Sequence, residues 1–61
     1  MKVSELKRLL KKHGCYKTDD FTNHENWYSP ITGKEFLVLR HNSKEVASGT
    51  LHDILKKAGL K

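Results

Sequence analysis

Two stretches of helical periodicity, one near each end and each closed by a glycine, limit what this chain can fold into. In the first, Val3, Leu6, Leu9 and Leu10 share one face, while Lys7, Arg8, Lys11 and Lys12 take the other. Ser4 offers a hydroxyl as N-cap, and Gly14 suits the left-handed conformation that ends a helix. The spacing predicts a helix over residues 4–13. In the second, Leu51, Ile54, Leu55 and Ala58 form the buried stripe. Thr50 and Asp53 stand at capping-box spacing, Asp53 and Lys57 pair at i, i+4, and Gly59 closes the segment. The two segments also read alike, LKRLLKKHG from Leu6 and LHDILKKAG from Leu51. Two short helices serving one core converge on such a pattern without any duplication.

Between them the pattern changes to strand. Cys15 to Asp20 and His24 to Ser29 are the first two candidates, and Glu35 to Arg40, with Phe36, Leu37, Val38 and Leu39, is the third. Pro30-Ile31-Thr32-Gly33 is a turn, because proline presets one dihedral and glycine supplies a positive φ. Connections this short favour antiparallel pairing. Asn42 to Gly49 has no period and reads as the loop into the last helix. The expectation is an α+β two-layer domain, α-β-β-β-α, a three-stranded antiparallel sheet with two helices on one face.

Strand alternation then sorts the side chains. His24, Asn26 and Tyr28 share one face of the second strand, and Glu25, Trp27 and Ser29 the other. Trp27 is expected to pack towards the helices, leaving His24 and Tyr28 on the open side. The competing reading has Trp27 or Tyr28 stacking on a base. In the third strand Phe36 and Val38 oppose Leu37 and Leu39, so one apolar strip stays uncovered.

With 61 residues there is room for one domain, residues 1–61. A chain this short buries only about 60% of its unfolded surface, which excludes dinucleotide-binding folds and closed parallel barrels. Cys15 is the sole cysteine, so no internal disulfide and no cysteine-based zinc site is available. No apolar run spans a membrane and no signal-peptide pattern opens the chain, so a soluble cytoplasmic protein is expected.

Lysine and arginine number 12 against 7 acids, a net charge of +5. The excess suits a polyanion, nucleic acid first, although basic surfaces also occur on proteins that bind none. Residues 1–14 set Lys2, Lys7, Arg8, Lys11 and Lys12 against Glu5 alone, whereas residues 15–33 are net acidic. Charges on the outer faces of helices need no function to explain them, Lys7, Lys11, Lys56 and Lys57 included. Lys34, Arg40 and Lys44 are the candidate phosphate contacts, the last two flanking His41.

The four histidines differ. His13 is placed to pack or to hydrogen-bond the end of its helix, and His52 to sit in solvent. His41 follows Arg40 at a strand end, where structural and binding roles stand level. His24 opens a strand in the polar run Thr22-Asn23-His24-Glu25-Asn26, with no apolar stripe to recruit it. An imidazole is able to move a proton near neutral pH, but a plain surface histidine fits the pattern too. No spacing matches a metal site or a glycine-rich phosphate cradle, and no cofactor is expected.

Read together, several runs resemble the HicA toxins of HicAB toxin–antitoxin systems. They are Arg40-His41-Asn42-Ser43-Lys44-Glu45, then Gly49-Thr50-Leu51, Ile54-Leu55-Lys56 and Ala58-Gly59-Leu60. Ser4-Glu5-Leu6 with Leu9-Leu10 and Gly14 is similar to that family's opening helix, and His24-Glu25 with Trp27-Tyr28 and Pro30 to its second-strand motif. The resemblance implies a double-stranded-RNA-binding-domain-like fold and an endoribonuclease that cleaves mRNA. A route in which the RNA 2′-hydroxyl attacks and an imidazole moves the proton is expected to be metal-independent. The resemblance implies a catalytic role for His24 alone; Arg40, His41 and Lys44 are expected as RNA contacts from their charge and position. It also implies neutralisation by a HicB-type antitoxin, through which any DNA contact is made.

The chain departs from the family pattern at three places. Thr22-Asn23 replaces Gly-Ser before the histidine, Leu39 replaces a proline before Arg40, and Asn26 replaces an apolar residue. Two other functions fit the same pattern: a non-catalytic RNA-binding module, and a protein-interaction subunit that uses the uncovered apolar strip.

Overall fold

Alternating apolar residues in the two longer strands create one face that must be covered, and the two amphipathic helices cover it. In the computed structural model, which describes residues 1–60, the elements are α1 (Val3–Lys12), β1 (Tyr16–Asp20), β2 (His24–Ser29), β3 (Lys34–Leu39) and α2 (Ser48–Ala58). Lys61, the last residue of the expected domain, lies outside the described residues. The strands form one antiparallel sheet in the order β1-β2-β3. This is the α+β two-layer, double-stranded-RNA-binding-domain-like arrangement expected.

The core lies between the layers. Val3, Leu6 and Leu10 of α1 and Ile54 and Ala58 of α2 meet Trp27, Phe36 and Val38 of the sheet, with Cys15 and Val46 completing the cluster. Trp27 is 1% exposed, so it packs towards the helices and is unavailable for base stacking. Tyr28 stays on the open face, half-buried against Tyr16 with ring centroids 5.5 Å apart.

Both helix starts differ from expectation. Ser4 does not cap α1: the helix begins a residue earlier, after Lys2. Its free amides are taken by a distant loop, Val3 N donating to the Lys44 carbonyl at 2.9 Å and Ser4 N to the Asn42 carbonyl at 3.1 Å. Glu5 adds a local contact, accepting from the Lys2 amide at 2.9 Å. Thr50 likewise is no cap, because α2 already includes Ser48 and Gly49 and follows Ala47, which has no capping side chain. The buried Val46, whose amide donates to the Met1 carbonyl at 2.9 Å, brings the chain into α2 at that point. Tertiary anchoring overrides the local capping signal at both ends.

The helix ends follow the sequence more closely. His13 is exposed at the end of α1, its Nδ1 3.3 Å from the Leu9 carbonyl, and Gly14 has a φ of 88°. At the end of α2, Ser29 Oγ donates to the Ala58 carbonyl at 2.7 Å and Thr32 Oγ1 to that of Lys57. Gly59 (φ 82°) is needed there, since a Cβ would fall 2.7 Å from Ile31 Cγ2.

Candidate active site

The short turn between β1 and β2 sets the position of His24. Phe21 N donates to the His24 carbonyl at 2.8 Å, and Arg40 N donates to the Asn23 carbonyl at 3.1 Å. The Arg40 side chain adds a third tie, with Nη1 donating to the Phe21 carbonyl at 3.0 Å and lying 3.6 Å from Asp20. Residues 21–23 are thus held by the first residue of β2 and by Arg40, just beyond β3. With Thr22-Asn23 in place of a glycine-containing pair, this chain uses no positive φ in the turn.

His24 is exposed on the open face, opposite Leu39 of β3. It forms one wall of a cleft of about 310 Å³ at the β3 edge, where Leu37, Leu39, Val46 and Thr50 also contribute. Leu37 is 52% exposed, the uncovered apolar residue that strand alternation predicts. Two residues along β2, Asn26 Nδ2 donates to Glu35 Oε2 at 2.7 Å and to Thr18 Oγ1 at 2.9 Å. Thr18 sits in a β-bulge of β1, and the departure from an apolar residue at 26 is absorbed by this polar set.

The other residues named from sequence fall at different distances along the loop after β3. Arg40 adjoins the residue paired with His24, and His41 follows it in the open. Half of the Arg40 side chain is covered by the contacts just described, so it fixes the turn before His24 as well as presenting charge. Lys44 is farther on, with its carbonyl holding the start of α1. Lys34 stands at the opposite end of β3, about 17 Å along the strand from Leu39, and takes no part in this site.

Sequence reasoning missed what stands behind the site. Lys7, expected as a solvated charge, is drawn inward: its ammonium is 3.0 Å from Glu25 Oε1 and donates to Asn42 Oδ1 at 2.8 Å and to the Arg40 carbonyl at 3.4 Å. The Lys7 and Glu25 side chains are only 12% and 11% exposed. Trp27 Nε1 also donates to Glu25 Oε1, at 3.0 Å. Burial by itself pushes the Glu25 carboxyl up. The hydrogen bonds from Lys7 and Trp27, with the charges of Lys7 and Lys17, outweigh it and hold the group below the ordinary glutamate value. A legible signal existed: alternation puts Glu25 on the covered face beside Trp27, and a covered carboxylate needs a cation.

This cluster ties α1, β2 and the 40–42 loop to one another directly behind His24. Among the described residues, no group of three or more His, Cys, Asp or Glu side chains is placed to hold a metal ion, and no helix is long and apolar enough to cross a membrane.

The sequence pattern of the family described as HicA toxin of bacterial toxin-antitoxin matches residues 3–60. The chain belongs to the HicA toxin family. As a HicA toxin it is one component of a toxin–antitoxin system. It is 39% identical over 61 residues, the whole of both chains, to a protein of Photorhabdus laumondii subsp. laumondii named "Probable mRNA interferase HicA 2". No solved structure matches this HicA chain significantly.

Proposed function

We propose that this toxin is an endoribonuclease that cleaves mRNA in the cytoplasm, with His24 as its proton-transfer group. The observation that carries this reading is the placement of His24: exposed, on the open face, in the wall of a cleft, with its carbonyl accepting from Phe21 N and that of the residue before it from Arg40 N. The similarity to a protein named as a probable mRNA interferase supports the substrate class.

RNA carries its own nucleophile, the 2′-hydroxyl beside each phosphodiester. An imidazole that takes or returns a proton, with cations facing the developing phosphorane charge, is then sufficient, and no metal is called for. His24 serves as general base or general acid. Arg40, His41 and Lys44 contribute positive or hydrogen-bonding groups along the phosphates, Arg40 closest in the chain to His24. Attack by the 2′-oxygen breaks the bond from phosphorus to the 5′-oxygen, leaving a 2′,3′-cyclic phosphate or its hydrolysis product on one fragment and a 5′-hydroxyl on the other. The apolar part of the cleft, with Leu37 and Leu39, receives either a base flanking the scissile bond or a side chain of a HicB-type antitoxin. The antitoxin silences the toxin by covering this open face, and any contact with DNA is made through it.

The test is His24→Ala. Cleavage of a labelled transcript by purified protein should fall by about 10²- to 10⁴-fold with the melting temperature unchanged. Wild-type cleavage by that variant, in a preparation free of contaminating nuclease, overturns the assignment.

A further inference from the structure

The Lys7 cluster does more than brace the loop, because it shapes a second concavity away from His24. Ser4, Lys7, Arg8, Lys11 and Asn42 line an open groove of about 270 Å³ between α1 and the loop after β3. We propose that this groove is a phosphate-binding subsite for the single-stranded RNA that runs on from the scissile bond. The inference rests on the ribonuclease reading in its choice of RNA as ligand.

Three observations carry it. First, Asn42 is oriented. Its Oδ1 accepts from Lys7 and its backbone carbonyl from Ser4 N, while Nδ2 donates to no protein acceptor among the described residues. An amide whose oxygen is fixed on a buried ammonium presents its NH₂ as a donor, the polarity an anion requires. Second, the charge is uncompensated. Glu25 neutralises Lys7, but Arg8 and Lys11 have no carboxylate partner among the described residues, and Glu5, the one acid of α1, accepts from the Lys2 amide. Third, the groove is close in the chain to the candidate active site, although the two cavities share no lining residue. Asn42 follows Arg40 by two residues, at most ~7 Å of chain, a stride that a neighbouring nucleotide of the same strand covers. The first amides of α1 are bonded to loop carbonyls, so the helix terminus itself plays no part.

An acidic protein segment is a different occupant of the same charge, and the experiment separates the two. Binding of a fluorescent single-stranded RNA of about 12 nucleotides is measured with the His24→Ala protein between about 50 and 200 mM salt. Arg8→Gln/Lys11→Gln should weaken binding about tenfold at the lower salt and flatten the slope of log affinity against log salt by about 1.4, ~0.7 for each phosphate left without its cation. Arg8→Lys/Lys11→Arg, which keeps both charges, should restore both quantities. Asn42→Ala should weaken binding and leave the slope alone, since a neutral donor releases no counterion. Lys34→Gln/Lys56→Gln removes equal charge from elsewhere on the surface and should change binding far less. Equal losses from the groove pair and the distant pair would reduce the effect to general charge and sink the subsite. So would unchanged RNA binding by the groove variants, including the case in which they weaken antitoxin binding alone. Because RNA binding is read without cleavage, failure of the subsite is distinguishable from failure of His24 as catalyst, which cleavage assays of His24→Ala report separately.

Discussion

On the covered face of β2, Glu25, Trp27 and Ser29 each point at a partner: Lys7, the core and the end of α2. On the open face, alternate residues of the same strand, His24, Asn26 and Tyr28, meet either solvent or neighbours within the sheet. One strand thus carries stability on one side and the candidate chemistry on the other. A residue's neighbours along the chain say little about its role here, and its parity says a great deal. The pairing also explains how so small a protein fixes the backbone at its candidate site: His24 inherits its position from a strand whose other face is locked into the core.

The sharpest way to break this comparison is Trp27→Ala. Removing a fully covered indole costs about 3–5 kcal/mol, comparable to the whole stability of a domain this small. The variant should be largely unfolded by circular dichroism and inactive for that reason, in contrast to a folded, inactive His24→Ala. A folded Trp27→Ala protein with a normal melting temperature would dissolve the division of labour between the faces.

A smaller effect tests the charge on the covered face. Glu25→Gln should lower stability by about 2 kcal/mol at neutral pH, since it removes a charged partner of Lys7. The folded carboxyl titrates below its unfolded value, so the contribution is fully present above the unfolded pKa and is lost as pH falls through the lowered folded one. The gap in melting temperature between wild type and Glu25→Gln should therefore be constant near neutrality and shrink below about pH 5. A gap that persists unchanged to pH 3 would contradict the paired, ionised carboxylate.

The smallest effect belongs to the open face. Leu37→Asn should change stability by no more than about 0.5 kcal/mol, because a half-exposed side chain on an uncovered face has little packing to lose. The same substitution should weaken antitoxin binding, measured by titration of the purified partner. A large drop in melting temperature would show that Leu37 belongs to the core after all.

Much of the fold is legible in the sequence, and the features that are not share a cause. The order of elements, the antiparallel sheet, the burial of Trp27 and the exposure of His24 all follow from spacings of two to four residues. The caps do not: Ser4 and Thr50 are good N-cap residues in isolation, yet loop carbonyls at 42 and 44 and the anchoring of Val46 decide where the helices begin. Lys7 is hidden in the same way. On a helical projection it belongs to the charged face, and it turns inward only because Glu25 and Asn42 are there to receive it.

Periodicity is a local property, carried by the geometry of the helix and the pleat, so the sequence by itself determined the layers, the faces and the placement of His24 on the open face of the sheet. Family membership followed from the same linear pattern. The tertiary structure alone decided which charges are buried, which groups cap α1, and how the loop after β3 is held behind His24. Those contacts join residues 18 to 41 positions apart, and whether a polar group finds its partner across such a separation depends on where the whole fold places both.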